Sequence, residues 1–336
     1  MSTTGTPGDE GSRPRPGDRS WELESLRRKV RARKPSPPPS PSGRGTGEGA
    51  AAGPGIIYAR SVPRTQVRPS SYAPPGRFLP LAEAVRGGES RAPEGPPYHR
   101  IEEALETVHP QLAAYCRGEL TGRSHRGLFD GARMLLRQSL DNSGSGGSVS
   151  LRDLVFLDLE TTGLSSSPLF LIGTLVAEGG GFVIRQFLAR TYAEERSVIS
   201  AFAEDARARR FLVSFNGRCF DVPYLRARAA ATGVAFAEPA THVDLLPAAR
   251  RVYGPQLPDC RLKTLERSIC KRHRAGDIPG EHIPEAYHYF VRTGNAVQLA
   301  DILRHNAWDL VTLLELMVRM TGGGAPGQQS GAGREW

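Results

Sequence analysis

Leu154-Val155-Phe156-Leu157-Asp158-Leu159-Glu160-Thr161-Thr162-Gly163-Leu164 is the segment on which the reading of this chain turns. Residues 154–159 form an apolar run broken only by Asp158, which predicts a buried strand. Side chains two apart on a strand share a face, so Asp158 and Glu160 point the same way. Two carboxylates at the end of an apolar strand repel each other and lose hydration. A divalent cation relieves both costs, and hard cations favour oxygen ligands. The plainer reading is a solvent-facing strand end with two ordinary acids. Gly163 permits a tight turn through which backbone can approach a ligand.

Working outward, residues 169–177 and 182–188 read as two further strands, joined by Glu178-Gly179-Gly180-Gly181, a hairpin loop. A helix at about 194–208, a strand at 211–215, a helix near 220–231 and a last strand near 242–245 follow. Helices then fill most of 246–320. Three strands in a row followed by alternation imply a mixed five-stranded α/β sheet with flanking helices. Its first three strands form an antiparallel meander, and the later ones add parallel to the first. Such a sheet carries its ligand site near the carboxyl ends of its central strands.

On the other side, residues 76–148 read as a helical lead-in. Leu105, Val108, Leu112 and Tyr115 recur at helical spacing over about 100–118, with Pro110 kinking or splitting that helix. Phe129, Ala132, Leu136 and Leu140 do the same over 125–140, before a Gly/Ser linker at 142–148.

Residues 1–75 read as a disordered, basic, Pro/Gly-rich arm. Seventeen of the 27 prolines lie in the first 100 residues, which carry a net charge of +8 out of +9. Residues 20–33 suggest a short helix capped by Ser20. Two readings of the arm stand: a polyanion-holding segment acting through counterion release, or a solvated tail without a specific partner. Residues 149–320 make the main domain, and 321–336 a Gly-rich disordered tail. The four cysteines fit no zinc spacing and read as reduced thiols. No segment has the roughly 18 apolar residues of a membrane span, so a cytoplasmic protein without membrane association is expected.

Two more acids matter. Asp221, in Ser214-Phe215-Asn216-Gly217-Arg218-Cys219-Phe220-Asp221, falls at a helix start, where an acid is often only a dipole partner. His305 and Asp309, in His305-Asn306-Ala307-Trp308-Asp309, share a helix face and can reach one site together. Such a pair joins a metal ligand to a general base, or is a surface contact.

In order, these motifs resemble the DEDD superfamily of 3′→5′ exonucleases, the DnaQ-like branch of the RNase H-like fold. Asp158 and Glu160 match the acids of its first motif, Asp221 the second and Asp309 the third. The strings Ser214-Phe215-Asn216-Gly217, His242-Val243-Asp244-Leu245-Leu246, Arg261-Leu262-Lys263-Thr264-Leu265-Glu266, Asp277-Ile278-Pro279-Gly280, Val291-Arg292-Thr293-Gly294 and His305-Asn306 are similar to the YprB-like group within it. The histidine subtype places its histidine one residue further from the last Asp than His305 lies from Asp309.

The resemblance implies hydrolysis of DNA or RNA phosphodiester bonds by two divalent cations, Mg²⁺ or Mn²⁺, about 3.5–4 Å apart. Asp158 would bridge them, Glu160 and Asp309 would complete one ion's site, Asp221 would hold the other, and His305 would act as base. Thr161, Thr162, Gly163 and Leu164 are expected at the terminal nucleotide, Asn216 and Phe220 at sugar or base, and Lys263 and Arg261 at phosphates. Asp244 reads as a supporting acid or as a strand-end structural residue. The expected substrate is a single-stranded 3′ end, with a helicase or repair protein as partner. A structure-selective endonuclease, or a binding module with weak activity, are the alternatives.

Overall fold

Four successive apolar residues, Leu154 to Leu157, are all buried, so this strand must be covered on both faces. The computed structural model describes residues 77–120, 150–163 and 167–320, all within one unit, Val67–Trp336. The expected arm, the helix at 20–33, the helix at 125–140, its linker, Leu164 and the tail lie outside the described residues.

The elements run α1 (Leu81–Ala84), β1 (Gly88–Ser90), β2 (Tyr98–Ala104), α2 (Leu105–Val108), α3 (Pro110–Leu120), β3 (Leu154–Thr161), β4 (Leu169–Glu178) and β5 (Gly181–Leu188). Then come α4 (Glu195–Arg207), β6 (Phe211–Ser214), α5 (Asp221–Thr232), β7 (Thr241–Asp244), α6 (Leu245–Tyr253), α7 (Leu262–Ser268), α8 (Ile283–Thr293) and α9 (Val297–Met320).

The described sheet has seven strands in the order β1-β2-β5-β4-β3-β6-β7. β3, β4 and β5 form the expected antiparallel meander, and β6 and β7 add parallel beyond β3. Gly179 and Gly180, at φ 57° and 85°, turn the β4–β5 hairpin through backbone that side-chain-bearing residues resist.

The five-stranded expectation is corrected by the lead-in. Tyr98–Ala104 is not helical but pairs antiparallel with β5, and β1 pairs with β2. Its sequence, YHRIEEA, carries no clean alternation. The edge of β5 supplies the order, because its unpaired backbone groups need partners. Helix resumes only at Leu105, and Pro110 opens α3, where its missing N–H costs nothing.

Alternation on β3 sorts the core into two layers. Val155 and Leu157 pack with Phe187 of β5, Phe202 of α4, Leu225 of α5 and Tyr287 of α8. Leu154 and Phe156 pack with Leu112 of α3, Leu245 of α6, Leu265 of α7 and Leu310 and Leu314 of α9. Each fully buried Leu or Phe contributes roughly 1.5–3 kcal/mol. Asp158 and Glu160 continue the second row, so they emerge on the face that α9 covers. Among the described residues, no helix is long and apolar enough to cross a membrane.

Candidate active site

β3 is buried through Leu157 and only half-buried from Asp158 on, which marks where the core gives way to the site. Asp158 and Glu160 share the face beneath α9. Asp221 is the first residue of α5, the helix that follows β6. His305 and Asp309 lie one turn apart on α9, with His305 Nε2 3.4 Å from Asp309 Oδ2.

The acids act on one another. Burial, then the charges of Asp309, Glu160 and Asp221, push the Asp158 carboxyl well above its ordinary range, against a hydrogen bond from Asn306. Burial pushes Glu160 up to about 8; the nearby His305 opposes this, while Asp309, Asp221 and Asp277 add to it. Asp221 is pushed up to about 7, mainly by burial, with backbone hydrogen bonds at Asp221 and Leu159 pulling the other way. Residues from three separated segments thus share one field, and what that field disfavours is their own negative charge.

His305 is held from behind. Its Nδ1 is 2.8 Å from Asp277 Oδ1, and Lys263 Nζ is 2.9 Å from Asp277 Oδ2. Burial works against protonation of His305, but Asp277, Asp309 and Glu160 together lift its pKa above the ordinary value. Asp277 is itself half-buried, yet His305 and Lys263 hold it well below the usual carboxylate range. Arg274 closes the far side. Its Nη2 donates to Asp309 Oδ1 at 2.6 Å, its Nε to Glu266 Oε1 at 2.8 Å and its Nη1 to the His305 carbonyl at 3.2 Å.

The residues expected at substrate fall into two groups. Thr161, Thr162 and Gly163 form a loop tied to itself. Thr161 Oγ1 donates to the Gly163 carbonyl at 2.9 Å, and both the backbone N–H and hydroxyl of Thr162 donate to the Pro168 carbonyl at 3.0 Å. Tyr224 of α5 ties the loop down, its hydroxyl 3.2 Å from the Gly163 carbonyl and 2.5 Å from that of Ser167. The N–H of Thr162 is therefore already used within the chain. Asn216 and Phe220 lie in the segment between β6 and Asp221. Asn216 adopts φ 62°, and Phe220 is 61% exposed, an unusual setting for a phenylalanine beside a half-buried acid. Lys263 meets Asp277, and Arg261 is exposed beside Asp259.

Asp244 takes the structural one of its two readings. Its carboxylate accepts from the N–H groups of Asn216 at 2.7 Å, Arg218 at 3.2 Å and Leu246 at 3.1 Å, capping α6 and shaping the loop before Asp221.

Sequence reasoning missed Asp277, Arg274, Tyr224, Gly173, Gln186 and the role of Asn306. Asp277 and Asn306 stood in quoted strings, but nothing in their spacing showed what they would touch. Arg274 lies in a basic stretch, Lys271-Arg272-His273-Arg274, that reads as surface.

Among the described residues, no three His, Cys, Asp or Glu side chains are drawn into the spacing of a formed metal shell. The donor set nevertheless suits a hard cation: it is made of partly buried, mutually repelling carboxylate oxygens, and those of Asp158, Glu160 and Asp221 are held above their ordinary pKa.

Residues 155–321 match a family model described as the RNase H superfamily. Among curated proteins, the uncharacterized protein YprB of Bacillus subtilis (strain 168) is 28% identical over 192 residues, 55% of this chain and 46% of that protein. The chain thus spans less than half the length of that relative. Among solved structures, the family B DNA polymerase from the hyperthermophilic archaeon Pyrobaculum calidifontis aligns over 52% of this chain and 25% of its own, with a TM-score of 0.43 and 19% identity.

Proposed function

The chain carries an RNase H-like superfamily domain, and from that premise we propose that it is a metal-dependent nuclease acting as a 3′→5′ exonuclease on DNA or RNA. One observation carries the reading. Asp158, Glu160, Asp221 and Asp309 come from three separated segments, share one electrostatic field, and lie beside a histidine oriented from behind by Asp277.

Two divalent cations held by these four carboxylates would supply Lewis acidity toward the scissile phosphate and an acidified water. His305 takes the proton from the attacking water at Nε2, while Asp277 fixes its tautomer through Nδ1. Lys263 keeps Asp277 charged. Phe220 offers an exposed ring on which a terminal base can stack. The loop at Thr161 and Gly163, anchored by Tyr224, forms the opposite wall for the last sugar, with Asn216 beside Phe220. A helicase or repair partner, with the N-terminal arm holding nucleic acid, completes the proposal.

The test uses the full chain with 5′-labelled and 3′-labelled single-stranded DNA and RNA, in Mg²⁺, Mn²⁺ or EDTA, beside Asp158→Ala. The reading expects a cation-dependent ladder from the 5′ label and mononucleotide from the 3′ label, both lost in the variant. Internal cuts would replace it with the endonuclease reading, and binding without cleavage with the binding-module reading.

A further inference from the structure

Asp158, Gly173 and Gln186 form one row across β3, β4 and β5, because Asp158 pairs with Gly173 and Gly173 with Gln186. Directly paired residues project to the same face. The glycine leaves a notch in that row, and Asn306 of α9 fills it. A Cβ at Gly173 would collide with the Asn306 side-chain amide, so the row has room for the asparagine only because it has no side chain there.

Asn306 is fully buried, and the orientation of its amide is set. Its Oδ1 accepts from Gln186 Nε2 at 2.8 Å, and the same nitrogen donates to the Leu303 carbonyl at 2.8 Å. Gln186 can only donate from this nitrogen, so the oxygen end of Asn306 must face it. The Nδ2 end then faces β3, where it donates to Asp158 Oδ2 at 2.7 Å and to the Asp158 carbonyl at 3.2 Å.

We propose that Asn306, oriented by Gln186 and admitted by Gly173, is the positioning residue that holds the Asp158 carboxylate in place for cation binding. The clamp grips one oxygen and the backbone of the same residue, and leaves Oδ1 outside it. Its donor is neutral. It fixes the carboxylate without adding a positive charge to compete with a cation, unlike Arg274 on Asp309. The proposal rests on the metal-centre reading above.

The test is Mn²⁺ titration calorimetry on the full chain, paired with the melting temperature of the cation-free protein. Asn306→Ala is expected to weaken Mn²⁺ binding by about 10–100-fold, the usual cost of losing a group that orients a ligand. Asn295→Ala is the stability control. Asn295 is buried and bonded to Arg77, Leu79 and Val297, outside the proposed catalytic cluster. It should lower the melting temperature and leave Mn²⁺ affinity unchanged. Gln186→Met keeps the volume and does not touch Asp158; it should weaken Mn²⁺ in the same direction, and it decides the matter if Asn306→Ala does not fold. Wild-type affinity in Asn306→Ala, or in Gln186→Met where that variant decides, overturns the positioning role and leaves the metal centre standing. No Mn²⁺ binding by the wild-type chain overturns both.

Discussion

His305 meets a carboxylate at each ring nitrogen: Asp277 at Nδ1, with Lys263 behind it, and Asp309 at Nε2. If it acts as a base it must be neutral, and Asp277 raises its pKa. Asp277→Asn should therefore move the acidic limb of the pH–kcat/KM profile to lower pH, because a ring without that carboxylate stays neutral into more acidic solution. The plateau should fall by about tenfold or more as the ring loses its orienting partner. A limb that stays in place would remove His305 from the reaction. At this scale the sequence was legible where two acids share a strand face or a helix turn, as Asp158 and Glu160 do. It was silent on Asn306, because its meaning depends on Gly173 and Gln186 being carried beneath it by two other strands. It was silent on Asp277 too, which sits between helices with no periodicity to mark it.

The elements that shape the site are short, and small groups hold them. The loop before Asp221 bends through Asn216 at positive φ because Asp244, at the end of β7, collects three backbone N–H groups around it. Asp244→Ala should cost about 1–3 kcal/mol of stability by uncapping α6 and orphaning those donors. It should also lower kcat through displacement of Asp221; urea unfolding and initial rates measure the two effects. Tyr224→Phe should loosen the loop at Thr161–Gly163 and raise KM for single strands more than it lowers kcat, as steady-state kinetics would register. Strands with apolar runs, such as β3 and β4, could be read directly. β2 could not, because its residues are only half apolar and its order comes from the edge of β5, a partner 79 to 89 positions away in the chain.

Across the molecule, the cluster sets a pH dependence. Glu160 at about 8 and Asp221 at about 7 lie above the values these side chains have in an unfolded chain. The folded state then binds more protons than the unfolded one between those values and the ordinary carboxylate range, so cation-free protein loses stability as pH rises through that window. His305, also raised, adds to the loss in its own range. Thermal melts in EDTA should fall by several degrees from about pH 5.5 to about pH 8.5, and saturating Mn²⁺ should flatten or reverse the slope if, as proposed, the deprotonated acids are its ligands. A melting temperature in EDTA that rises over this range would contradict the shared field. The near-neutral balance of residues 101–336 and the basic balance of the first 100 were legible from composition alone.

The proposed function stands on Asp158, Glu160, Asp221 and Asp309 forming one two-cation centre. Anomalous diffraction from Mn²⁺-soaked crystals would locate the ions themselves. Two peaks are expected about 3.5–4 Å apart, with Asp158 between them, Glu160 and Asp309 on one and Asp221 on the other. Mn²⁺ bound elsewhere, or a single ion that leaves Asp158 unliganded, would contradict it.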